Sequence, residues 1–125
     1  MVVDTTTRER TDETFRALGD ATRRDIVMLT LQRDYSVSDL ARLYPMSFAA
    51  VQKHVAVLER AHLVTKRRSG REQLVRGNVL AIRQAYGLLE ELEEVWRGRV
   101  ERIDQILTQE KEQGKDQEKG KGKRK

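Results

Sequence analysis

The only proline of this chain stands between two amphipathic segments, and the little that separates them restricts the folds available. Upstream, Ser36-Val37-Ser38-Asp39 fits a capping box with Asp39 in the place usually taken by Glu or Gln, and Leu40 and Leu43 come next as inward residues of a short helix. Tyr44-Pro45 must end that helix, because proline disfavours helical geometry in the residue before it and has no N–H to donate. Downstream, Ser47 caps a helix over 47–61 in which Val51, Val55 and Leu58 share an apolar face at i, i+4 and i+7. The opposite face carries Ala49, Gln52, Lys53 and Glu59. Two helices joined by so short a turn, the second with a small, polar and cationic N-terminal half, are the sequence form of a helix-turn-helix.

The next segment of the chain decides between a plain helical module and a winged one. Leu63-Val64-Thr65-Lys66-Arg67-Arg68 opens with strand-forming residues, Ser69-Gly70 supplies a turn, and Glu72 to Arg76 can return as a second strand. Standing alone, a basic hairpin is ordinary solvated surface. Directly after a helix-turn-helix it predicts a wing over 64–76, whose Lys66, Arg67, Arg68 and Arg71 can reach phosphates or the negative potential of a narrow minor groove.

The flanks supply the rest of the domain. Residues 1–11 are polar and predicted to be flexible; Asp12 to Leu18 makes a short helix with Phe15 and Leu18 inward, stopped by Gly19. Asp20 caps a second helix over 21–31 with an apolar stripe of Ile26, Val27, Leu29 and Thr30. Arg23 and Arg24 lie off that stripe, suited either to a phosphate or to a solvated pairing with Asp20 or Asp25. From Asn78, a cap, one long helix is predicted over 79–109, weakened by Gly87 and Gly98. Leu89, Leu92, Trp96, Val100, Ile103 and Leu107 recur along it at three- and four-residue steps, a seam for antiparallel pairing with a second copy, helped by the first helix and its Phe15. A chain this small cannot bury those side chains alone.

Charge is sorted by region. Residues 111–125 hold seven Lys/Arg against three Asp/Glu, so four of the five net positive charges lie in the last fifteen residues; the low-complexity tail over 110–125 is predicted to be disordered. The domain over 12–109 is close to neutral, with acids gathered at Glu90, Glu91, Glu93 and Glu94. With no cysteine there is no disulfide or thiolate site, which suits a reducing cytoplasm. No apolar run approaches a membrane span, and the first residues lack the apolar core of a targeting signal.

Taken together, Leu18-Gly19-Asp20-Ala21-Thr22-Arg23-Arg24-Asp25-Ile26, Ser36-Val37-Ser38-Asp39-Leu40-Ala41, the helix from Ser47 with Lys53-His54-Val55-Ala56-Val57-Leu58, Leu63-Val64 and Gly70-Arg71-Glu72 resemble the ArsR/SmtB family of bacterial winged-helix repressors. The resemblance spans about residues 11–107. It implies a mainly α winged helix-turn-helix, with about five helices and a two-stranded hairpin, that dimerises through its first and last helices. It also implies binding to an operator, often of its own operon, and release when an effector binds. His62 stands where the family usually has glycine after the recognition helix, a position His can take at some strain. The family's metal sensors use cysteines before the recognition helix or Asp and His pairs in the last helix; the first are missing here and the second lack their histidines. No metal and no cofactor is expected, and His54 reads as a packing or hydrogen-bonding residue of the recognition helix.

On this reading Ser47 and the first-turn N–H groups anchor a phosphate, Ala49 and Ala50 permit close approach to thymine methyls, and Gln52 and Lys53 read base edges or adjacent phosphate, with His54 beside them. The partner is double-stranded DNA with a pseudo-palindromic site, bound by a homodimer in the cytoplasm. A winged helix that binds only proteins is the alternative, with Glu90 to Glu94 as its surface. Catalysis has no support from spacing: no nucleophile, base and orienting group come together, and no phosphate loop appears. The residues do not choose an effector; a small organic molecule in the dimer crevice, a protein and none at all are equally compatible.

Overall fold

The computed structural model describes residues 5–122, with side chains as far as Gly114. In chain order the elements are α1 (Thr5–Leu18), α2 (Ala21–Gln32), β1 (Tyr35–Ser36), α3 (Val37–Arg42), α4 (Phe48–Arg60), β2 (Val64–Ser69), β3 (Glu72–Gly77) and α5 (Val79–Gly122). The chain divides into two compact units, one ending at Tyr86 and one beginning at Gly87. The first is a winged helix-turn-helix. Its core is formed by Ile26 and Val27 from α2, Leu40 from α3, Val51, Val55 and Leu58 from α4, and Leu63, Val64 and Val75 from the hairpin, closed by Ala17 and Ala81.

The capping residues read from the sequence do the work expected of them. Asp20 accepts the N–H of Arg23 at 3.0 Å, Ser36 Oγ that of Asp39 at 3.0 Å, Ser47 Oγ that of Ala50 at 3.1 Å, and Asn78 Oδ1 that of Leu80 at 3.1 Å. Each satisfies a donor that the first turn of a helix would leave unpaired. The box at Ser36 is half closed, because Asp39 directs its carboxylate to Arg42 at 3.3 Å.

Several expectations need correction. The sheet has three strands in the order β1-β3-β2, all antiparallel, with Tyr35 opposite Val75 and Ser36 opposite Leu74. A two-residue strand leaves no periodicity to detect, so β1 is invisible in the sequence. Leu43 is 55% exposed, because α3 stops at Arg42 and the next residues already belong to the turn. Phe15 is 36% exposed, and α1 turns Thr14 and Ala17 inward instead. Thr14 buries its hydroxyl by donating it to the Arg10 carbonyl at 2.9 Å. Apart from these corrections, helix α1 begins at Thr5 and α5 runs on to Gly122, so both helices enter the terminal segments for which flexibility and disorder are expected. No proline interrupts 110–122, and Lys, Glu and Gln propagate a helix that is already nucleated. The same expectations for residues 1–4 and 123–125 lie outside the described residues. Gly19 ends α1 with an ordinary backbone; a Cβ there would meet the Arg16 carbonyl oxygen at 3.2 Å, so close approach explains the glycine.

The left-handed residue lies at the end of α4. His62 has φ 61°, its N–H bonds to the Glu59 carbonyl at 3.0 Å, and the N–H of Leu63 reaches back to the Leu58 carbonyl at 2.9 Å. That pair of bonds is a Schellman turn, and the two leucines it brings together are fully buried. Gly77 closes the hairpin where a Cβ would stand 2.9 Å from the Leu31 backbone nitrogen and closer still to its side chain, so β3 can lie on α2 only with glycine there.

Asp34 ties the hairpin together from outside. Its carboxylate accepts from Arg76 Nε at 2.8 Å and Arg67 Nη2 at 3.2 Å, one cation from each strand of the wing. The hydrogen bonds from Arg76 and then Arg67 hold this carboxyl below its ordinary range. A depressed carboxyl pKa adds stability that is complete above the unfolded-state value and disappears as pH falls through the folded one.

Two measurements test these contacts. Replacing His62 with Gly removes the left-handed cost of about 1–2 kcal/mol, less the extra entropy glycine loses, and should stabilise the protein by about 0.5–1 kcal/mol in denaturant unfolding. Thermal unfolding of Asp34→Asn should start lower than the parent at pH 7, and the gap should close as pH drops below about 4.

Candidate nucleic-acid interface

The recognition helix α4 lays Val51, Val55 and Leu58 into the core and leaves Phe48, Ala49, Gln52, Lys53, Glu59 and Arg60 exposed. Ser47 is exposed too. Its oxygen is occupied by the Ala50 N–H, which leaves its hydroxyl proton free to donate outward. The N–H groups of Phe48 and Ala49 lie in the same first turn, where the helix carries partial positive charge. Ala50 and His54 occupy the edge of α4 that turns away from this face, and both are half-buried.

His54 is held from behind. Arg23 places Nη1 3.5 Å from His54 Nδ1, Nε 2.6 Å from the Ala17 carbonyl and Nη2 3.3 Å from that of Arg16. Arg24 Nη1 lies 2.7 Å from the Leu18 carbonyl. Both arginines therefore cap the C-terminal carbonyls of α1, where a cation also meets the negative end of the helix dipole. The sequence offered a phosphate or an acidic neighbour for them; the carbonyl end of another helix leaves no mark in local spacing. Asp20, at the start of the same helix, has its carboxyl pKa lowered by the Arg23 N–H it accepts and by the charges of His54 and Arg23, against the opposing effect of burial.

The wing divides its cations into two groups. Lys66 pairs with Glu59 at 3.4 Å and Arg67 with Asp34 at 3.2 Å, so both are committed within the fold. Arg68 and Arg71 flank the turn at Gly70 and are exposed; Arg68 makes one long bond, 3.4 Å, to the Gly70 carbonyl, and neither has a carboxylate partner among the described residues. The hairpin register, with Arg68 opposite Gln73 and Ser69 opposite Glu72, puts these two at the tip.

An open cleft of about 250 Å³ runs between the start of α3, the first turns of α4 and the wing tip. Gln52, Arg68 and Arg71 line it together with Phe48. Phe48 is the residue that sequence reasoning misses. It sits beside the Val51–Val55 stripe on a helical wheel and so counts as marginal core by pattern, yet it is 47% exposed and joins neither the core nor the residues packed against it. The residues expected to form a dimer seam, Leu89, Leu92, Trp96, Val100, Ile103 and Leu107, all lie on α5 in the second unit and are all exposed. Among the described residues no three His, Cys, Asp or Glu side chains converge to hold a metal, and no helix is long and apolar enough to cross a membrane.

This architecture recurs in known proteins. Residues 20–66, from the cap of α2 through the start of β2, match the family model described as bacterial regulatory protein, arsR family. The HTH-type transcriptional regulator Rv2034 of Mycobacterium tuberculosis is 42% identical over 59 residues, 47% of this chain and 55% of that protein; the chain spans about half the length of the curated relatives it matches. A solved homodimeric winged helix-turn-helix DNA-binding domain, Mb0332 of Mycobacterium bovis, shares the fold at a TM-score of 0.59, with 20% identity over 75% of this chain and 92% of that one. The ArsR-like transcriptional regulator from Rhodococcus sp. RHA1 superposes with a TM-score of 0.71 and 31% identity over 82% of this chain and 96% of that one. A likeness that extends over nearly the whole of that structure, on top of the matched helix-turn-helix, places this chain in the arsR family of bacterial regulatory proteins.

Proposed function

We propose that this chain is a dimeric transcriptional repressor that binds a pseudo-palindromic operator of its own or a neighbouring operon. The observation that carries the reading is the grouping, around one cleft, of the exposed start of α4 and the two wing arginines that have no carboxylate partner among the described residues. The relatives support it: one is named a transcriptional regulator and another a homodimeric DNA-binding domain. In this reading α4 enters the major groove and the wing runs along the backbone or the adjacent minor groove. Ser47 and the first-turn N–H groups meet a phosphate, Ala49 allows close approach, Gln52 reads a base edge, and Lys53 serves a base edge or phosphate. Arg68 and Arg71 contribute most of the wing's affinity, while Lys66 and Arg67 act mainly inside the fold.

Dimerisation runs through α5 with Phe15 of α1. The pairs Leu89 and Val100, Leu92 and Ile103, and Trp96 and Leu107 each stand eleven positions apart. An eleven-residue repeat advances about 3.67 residues per turn, so two such helices pack nearly straight, with a slight right-handed bias, where a heptad seam would coil to the left. A two-fold pair sets two α4 helices about one DNA turn apart. The effector is a small organic molecule in the dimer crevice, a protein, or none at all, and the site of action is the cytoplasm.

Selection from a random duplex pool at about 150 mM salt, with the full chain and a form ending at Gln109, tests this reading; one inverted repeat should be enriched by both forms. Binding without enrichment, lost with the tail, would reduce the DNA interaction to bulk charge. On the enriched site Gln52→Ala should cost about 1–3 kcal/mol while binding to random duplex stays unchanged. Joint replacement of Arg68 and Arg71 by Ala should weaken both, lowering the slope of log affinity against log salt by about 2 per protomer, and Arg67→Ala should change that slope less.

A further inference from the structure

The cleft between α4 and the wing holds one side chain that neither the fold nor the charge pattern accounts for. Phe48 is the first residue of α4, directly after the Ser47 cap, and nearly half of it is open to solvent in a cleft otherwise lined mostly by polar side chains, with Arg68 and Arg71 against one acid, Glu72, and one apolar residue, Val37. Burying a phenylalanine is worth about 1.5–3 kcal/mol, and much of that is forgone here. Gln52, one turn on, stands on the same side of the helix. Arg68 and Arg71 approach from the wing across the same cleft.

We infer that Phe48 is a specificity-determining residue that reads the C5-methyl group of a thymine beside the base pair read by Gln52. The inference rests on the proposed DNA binding and goes beyond it by naming the base. Its logic is the chemistry of the groove. A phenyl ring cannot bond to phosphate, to a base edge or to water, and thymine methyl is the one apolar group a duplex displays in the major groove. Arg68 and Arg71 outnumber Glu72 in the cleft, and together with the positive end of α4 they favour a polyanionic occupant, so the ring meets its apolar counterpart within such a molecule. Wedging between base steps is the other use proteins make of an apolar tip, and it belongs to minor-groove binders, whereas the start of a recognition helix lies in the major groove. Gln52 is suited to the N6 and N7 edge of adenine, so the two residues together select adjacent thymine and adenine. The task expected of Ala49 and Ala50 passes to Phe48, because Ala50 is set back into the fold and the short Ala49 side chain reaches less far.

The test uses the full chain and the inverted repeat enriched by selection. Each thymine is replaced in turn by deoxyuridine, which deletes the methyl group and leaves every hydrogen-bonding edge intact. At one position in each half-site the exchange should weaken the parent protein about fourfold, the worth of one buried methyl group, and Phe48→Ala should bind both duplexes equally. Phe48→Leu should keep part of the discrimination, and since the ring is half exposed both variants should melt within a few degrees of the parent. Insensitivity of the parent at every thymine overturns the inference, as does a Phe48→Ala variant that still distinguishes thymine from uracil. Failure to enrich any repeat overturns the DNA reading itself, and the inference with it, and is recognised before any thymine is exchanged.

Discussion

The turn at His62 is the junction on which the rest of the first unit depends. Four elements meet there: α4 ends in it, β2 leaves it, and through Asn78 it receives the end of β3 and the start of α5. The Asn78 N–H bonds to the Leu63 carbonyl at 2.9 Å and its side-chain amide to the His62 carbonyl at 2.8 Å, while its oxygen caps α5. A left-handed residue costs about 1–2 kcal/mol when it carries a Cβ. The surrounding bonds and the buried Leu58 and Leu63 hold it in place. The same turn fixes where α4 ends and where the wing begins, the two elements between which Phe48, Gln52, Arg68 and Arg71 line the cleft.

A second constraint fixes the wing from the other side. Ser36 ends β1 and caps α3 in the same residue, so pairing with Leu74 of β3 ties the return strand of the wing to the first helix of the helix-turn-helix. Just before it, Asp34 holds one arginine from each hairpin strand. These contacts divide the labour of the basic residues. A count of positive charge along 66–76 suggests a uniform basic surface, but Glu59 engages Lys66 and Asp34 engages both Arg67 and Arg76 within the fold, so the wing cations without a carboxylate partner among the described residues, Arg68 and Arg71, stand at the tip. Exposed pairs of this kind contribute little stability each; their weight here lies in orienting the hairpin and in concentrating charge where the cleft opens.

The parts of this arrangement that repeat locally were legible in the sequence. The α4 stripe, the caps at Asp20, Ser36, Ser47 and Asn78, the hairpin turn at Gly70 and the strained place of His62 are all deducible from spacing, local chemistry or resemblance. What failed to show depended on partners distant in the chain. Strand β1 exists because β3 lies beside it. Leu43 and Phe15 fit a helical period but fall where the packing has ended, and Phe48 does the same at the start of α4. The roles of Arg67 and Arg76 required Asp34, which is 33 and 42 residues away. Periodicity marks which face of a helix is apolar; it does not mark how far along the helix the core extends.

Arg23 shows how such distant partners connect elements with different tasks. Its guanidinium spans the carbonyl end of α1 and the ring of His54 on α4, so the helix that bears Phe15 and the helix that bears Gln52 share one side chain. The position of α4 is therefore linked to that of α1 through the Arg23 side chain. His54 is thus held on the edge of α4 that turns away from Gln52.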